Sequence, residues 1–150
     1  MNNHPYLRAY MAGISVPTPL LLVALTLFSI ARFVYNVPIP VERVIIFPMA
    51  IIPNLFGVWN MLYLVSRSHT HLPLGIHGAI LPFILAPTGF FLGRSLGFLK
   101  TTGHGFTYFG VVDVHYAHVA LVFPVVLIVY YLVWKYLIGF LNQVAGIAEC

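Results

Sequence analysis

Seven histidines stand in a chain of 150 residues that has only three acidic side chains and one cysteine. They are His4, His69, His71, His77, His104, His115 and His118. Imidazole can hold a metal ion, carry a proton near neutral pH, or ligate haem. His115 and His118 are three positions apart, so on a helix they share a face, and His104 can join them from a preceding loop. These three form a candidate site for a single metal ion centred on His115 and His118. Asp113 would point roughly 140° away from His118 on a common helix, so it reads better as an N-cap than as a fourth ligand. His69-Thr70-His71 lies in a polar hairpin, where solvation is the plainer role.

Other chemistries are limited by what is missing. A bis-histidine haem would need a partner for His77 at equal depth on another apolar segment, and none supplies one, so haem within one chain is not expected. The acids are Glu42, Asp113 and Glu149, too few for a carboxylate-bridged metal pair. No phosphate loop, dinucleotide fingerprint or nucleophile motif is present.

The elements that must position these residues follow from composition. Hydrophobic residues make up 61% of the chain and charged residues 7%, against roughly 25% charged in a soluble domain. Such a chain cannot clothe a surface in water, and its partner solvent is the lipid bilayer. A crossing needs about 20 apolar residues. Four segments supply them, at residues 18–35, 44–65, 74–98 and 115–136. The expected fold is all-α: a polytopic membrane protein, one transmembrane domain over residues 1–150, built as a four-transmembrane-helix bundle. Pro48, Pro53, Pro82, Pro87 and Pro124 fall inside spans and predict kinked helices. From Phe106 to Leu141 the apolar stretch runs 36 residues, about 54 Å as a helix, so Phe106–Val112 is expected in the interface or as a re-entrant segment. The first apolar run is too long, and lacks a small-x-small site, for a cleavable signal. In this arrangement His69, His71 and His77 lie toward one side of the membrane and His104, His115 and His118 toward the other.

Polar residues inside the spans are the second set of candidates. Arg32, Asn54, Asn60 and His77 could line a substrate or proton pathway. Each also has a structural reading: Arg32 can reach a headgroup or pair with Glu42, and buried amides bond between helices. Asn54 follows Pro53 and can satisfy backbone freed there. On the third span Gly89, Gly93 and Gly97 make successive small-xxx-small steps, a face for packing inside the bundle or against another subunit. The net charge is +4, but the basic residues are dispersed singly at segment ends, so nucleic acid is not an expected partner. Counting Lys and Arg on each side favours termini on the non-cytoplasmic side. Cys150 permits no intrachain disulfide.

In size, and in the Glu42-Arg43 pair at the head of the second span, the chain is similar to small membrane enzymes that join glutathione to lipophilic electrophiles. The similarity covers two residues and transfers no functional residue. The leading expectation is an integral membrane protein working in a homo-oligomer or as a subunit of a membrane complex. Behind it stand a transporter or channel-like protein for a small solute or proton, and a membrane enzyme or redox subunit using His104, His115 and His118 on a lipophilic substrate.

Overall fold

The computed structural model describes residues 4–38, 40–108, 110 and 112–147, without the side chains of Arg43 and Val44. Glu149, Cys150 and the Arg43 side chain, each given a role above, lie outside the described residues.

The chain is mostly helical. In order it forms α1 (Pro5–Ile14), α2 (Pro17–Phe33), a π-helical turn (Glu42–Ile46), α3 (Phe47–Ser66) and α4 (Leu74–Ser95). Strands β1 (Leu99–Thr102), β2 (Gly105–Tyr108) and β3 (Val112–His115) follow, then α5 (Tyr116–Leu132), a π-helical stretch (Val133–Ile138) and α6 (Gly139–Val144). Four helical runs are long and apolar enough to cross a membrane: Pro5–Phe33, Phe47–Ser66, Leu74–Ser95 and Tyr116–Val144. Their outer faces carry large apolar side chains, with Leu27 62% and Leu121 75% exposed. Lipid accommodates that surface and water does not.

The outer two runs are longer than the 18–35 and 115–136 segments expected for them. At the first, Ser15 and Thr18 hydroxyls donate to the carbonyls of Met11 and Ile14 at 2.7 and 2.6 Å, which keeps polar side chains satisfied within helical structure. At the last, the π-helical stretch carries Trp134, Lys135 and Tyr136 onward into α6. The second run starts at Phe47, directly after the π-helical turn, and Pro48 lies in its first α-helical turn. Pro53, Pro82, Pro87 and Pro124 sit within helices.

An all-α chain is not what forms. β1, β2 and β3 make an antiparallel sheet in the order β1-β2-β3. It takes up residues expected to be a polar loop and an interfacial or re-entrant segment. Of that segment, Phe106–Tyr108 belongs to β2 and Val112 opens β3. The reason is local: Thr, Val, Phe and Tyr alternate with polar residues at period two, and Gly103-His104 is a two-residue connection. Apolar length alone does not distinguish this pattern from a helix.

Close contacts divide the chain into two compact units, Met1–Leu72 with Tyr136–Cys150, and Pro73–Lys135. In the first, α1 lies along α3. A Cβ on Gly13 would fall 2.5 Å from the Phe56 carbonyl oxygen, and one on Gly57 would strike the Tyr10 ring. Only glycine permits that approach of two backbones. In the second unit α4 receives aromatic rings in the same manner, Gly75 facing Tyr131 and Gly78 facing Trp134. Phe83 and Phe123 meet edge to face at 5.1 Å.

Gly97 ends α4. Its φ is +77°, Phe98 N–H donates to the Gly93 carbonyl at 3.0 Å, and Gly97 N–H donates to Arg94 at 3.2 Å. This left-handed stop satisfies carbonyls that the last turn leaves over. Gly146 closes α6 in the same way, with φ +68°.

Gly78→Ala would place a methyl in the volume of the Trp134 indole and is expected to cost about 1–3 kcal/mol. Gly103→Ala, with nothing within 4 Å of the added carbon, is the control and should be near neutral. Unfolding titrations of both variants in detergent measure the difference.

Candidate functional site

The sheet has two unlike faces. Side chains alternate across a strand, and the register pairs Leu99 with Tyr108, Lys100 with Thr107, Phe106 with Val114 and Thr107 with Asp113. One face therefore carries Leu99, Thr101, Phe106, Tyr108, Val112 and Val114. The other carries Lys100, Thr102, Gly105, Thr107, Asp113 and His115. The apolar face is seated on the end of α4: Leu99 is buried against Gly93, where an added Cβ would lie 3.3 Å from its side chain. Phe106 meets Phe90 at 5.9 Å and Tyr116 at 6.3 Å between ring centroids. Burial pushes the Tyr108 phenol above its ordinary pKa. The polar face is left outward.

On that face the sheet gathers a site. Thr102, His104, Gly105, Asp113 and His115 line a pocket of about 240 Å³, together with Gly103, Phe106 and Val114. Gly105 is required there, because any Cβ would collide with the Val114 carbonyl. Thr107 Oγ1 donates to Asp113 Oδ1 at 2.5 Å. Asp113 is therefore a strand residue held by a threonine, and not the helix N-cap expected of it. The cap position is His115, and the Tyr116 N–H at the start of α5 donates to the His104 backbone carbonyl at 3.1 Å. The hairpin tip thus supplies the acceptor that a side chain was expected to provide.

Of the expected metal residues, His104 and His115 share this pocket, and His118 lines a neighbouring apolar one with Val119, Val122 and Phe123. The His115 and His118 rings are in contact at 5.7 Å. Among the described residues, no group of three or more His, Cys, Asp or Glu side chains is placed to hold a metal ion. His115 precedes the helix and His118 is in its first turn, so they are not two positions on one helix face.

The polar residues expected in the spans are engaged with the protein. Asn60 is fully buried and donates to the Ala9 carbonyl and to Asn142 Oδ1, both at 2.8 Å; Asn142 Nδ2 donates back at 3.2 Å. Asn54 accepts from the Tyr10 hydroxyl and donates to the Ala50 carbonyl at 2.7 Å, one residue past the carbonyl that Pro53 frees. Arg32 Nη1 donates to both Glu42 oxygens, at 2.7 and 2.9 Å. His77 is buried beside Trp134, their rings 6.0 Å apart and tilted by 66°. With α4 22 residues long, about 33 Å, His77 and the sheet lie at opposite ends of it.

The three step glycines separate into three roles. Gly97 is the helix stop, Gly93 seats the sheet, and Gly89 faces nothing within 4 Å. Asn142 and Tyr10 were not singled out in the sequence. An amide within an otherwise apolar run is the signal that marked Asn60, but Asn142, beside Gln143, fell beyond the expected end of the span.

Comparison of the chain with protein families, with curated proteins and with solved structures finds no match.

Asn60→Leu strands the Asn142 amide, which is 1% exposed, and is expected to destabilise the fold by about 1–3 kcal/mol. Asn60→Leu/Asn142→Leu should recover part of that loss, because no amide is then left unmatched. Unfolding in mild detergent with increasing denaturing detergent reads both. A double variant worse than the sum of the singles would refute the reciprocal pair.

Proposed function

We propose that this integral membrane protein acts as a subunit of a membrane assembly, homo-oligomeric or hetero-oligomeric, with the Ala86 and Gly89 face of α4 as its contact. The observation that carries this reading is the open space over Gly89. Every other glycine of the α4 helix has a neighbour: Gly75 and Gly78 take aromatic rings and Gly93 takes Leu99. Ala86 and Gly89 are exposed, and a bare helix backbone in lipid is the surface on which a second helix gains close contact. The count of basic residues supports termini on the non-cytoplasmic side of that membrane.

Transport of a small solute or proton has less support, since Asn60 and Asn54 bond within the protein and Arg32 is paired with Glu42. Enzymatic or redox chemistry at His104, His115 and His118 has less support, because among the described residues no three ligands converge.

Gly89→Leu is expected to weaken association about tenfold or more, near 1.4 kcal/mol, while leaving the unfolding midpoint of the chain unchanged. Light scattering and native mass spectrometry in mild detergent measure it. A wild-type protein that is monodisperse and alone, with Gly89→Leu indistinguishable from it, rejects the proposal.

A further inference from the structure

The polar face of the sheet joins the end of one membrane-crossing helix to the start of the next. β1 begins at Leu99, four residues after α4 ends, and α5 starts at Tyr116, immediately after β3. That places the face at the level of the lipid headgroups, just outside the hydrocarbon. Its charges have both signs. Lys100 and Asp113 flank Thr107 across the three strands, and His104 and His115 stand on the pocket wall with Thr102 and Asp113. A purely anionic ligand would meet the Asp113 carboxylate. A purely cationic one would meet Lys100.

The geometry points to a binding site for a zwitterionic phospholipid headgroup that joins a phosphodiester to a primary ammonium. The phosphodiester takes the N–H donors of His104 and His115, the Thr102 hydroxyl and the field of Lys100. A neutral imidazole still donates one N–H, so the assignment holds without protonation of either ring. The ammonium takes Asp113. One oxygen of that carboxylate is already fixed by Thr107, which orients the group, and the second oxygen accepts from the ligand. Gly105 lets β2 and β3 approach closely beneath the pocket, which brings Asp113 and His115 beside Thr102 and His104. Selectivity rests on hydrogen bonding: a primary ammonium has three donors for Asp113, and a quaternary one has none. This site is independent of the Gly89 face.

The test is the thermal unfolding midpoint of the full chain in detergent with short-chain phospholipids added. Phosphatidylethanolamine at tenfold above its dissociation constant is expected to raise the midpoint by about 3–6 °C. Phosphatidylcholine, identical but for the methylated nitrogen, should raise it by less than a third of that. Asp113→Asn keeps an acceptor for Thr107 and should abolish the difference between the two lipids. His104→Gln/His115→Gln should lose the response to both. Each variant must first show the wild-type midpoint without lipid; for any that does not, retention of each lipid by the purified protein, counted by native mass spectrometry, is read in its place. Equal responses to both lipids, a response to phosphatidylglycerol alone, full stabilisation by inorganic phosphate, or variants that respond as wild type would each overturn the assignment. Gly89→Leu protein is measured alongside and should keep the full lipid response, so loss of assembly is not read as loss of lipid binding.

Discussion

A polar group inside hydrocarbon has no water to turn to, and every donor or acceptor placed there must be met by the protein itself. The first unit is organised around that requirement. Asn60 and Asn142 come from segments 82 positions apart in sequence and bond reciprocally, with the Ala9 carbonyl as a third participant. The exchange fixes α1, α3 and α6 at one level. Asn54 and Tyr10 repeat the arrangement a turn and more away on α3. Hydrogen bonds of this kind in membranes are each worth only about 0.6 kcal/mol on average. Their value is in register: a slip of either helix by one position separates the amides and leaves both stranded.

Adhesion between the helices has a different source. Lipid tails are as apolar as leucine, so burying leucine against leucine gains little, and contact must come from fit. The chain solves this with glycine on one helix and a ring or a bare backbone on the other. Gly13 meets Gly57 and Phe56, Gly75 meets Tyr131, and Gly78 meets Trp134. Trp134, 0% exposed, sits in the π-helical stretch. The wider turn there shifts the residues that follow relative to a regular helix.

Four helices long and apolar enough to cross a membrane, and their order, were legible from apolar length, because a run of about twenty apolar residues has few other readings. Asn60 and Arg32 were legible as polar residues needing partners, and Glu42 was readable as one partner. The sheet was not. Lys100–Gly105 reads as a polar loop and Phe106–Val112 is apolar enough to resemble an extension of the fourth span, and only period-two alternation about Gly103-His104 marks the two as strands. That misreading also misplaced Asp113 as a cap and put His115 on a helix face with His118. Gly97 shows the limit of a spacing argument: it continues the step of Gly89 and Gly93 in sequence, yet its positive φ ends the helix on which the step depends.

The acceptor for the Tyr116 amide is a carbonyl at the tip of the hairpin, twelve residues earlier in the chain. The first amide of α5 can therefore exchange its hydrogen with solvent only when the helix end and the β1–β2 tip part. Fraying of that helix end and movement of the hairpin tip are coupled through this bond. The end of a membrane helix is ordinarily the place where it unravels first. Here the protection of one amide reports on the contact between that end and the β1–β2 tip.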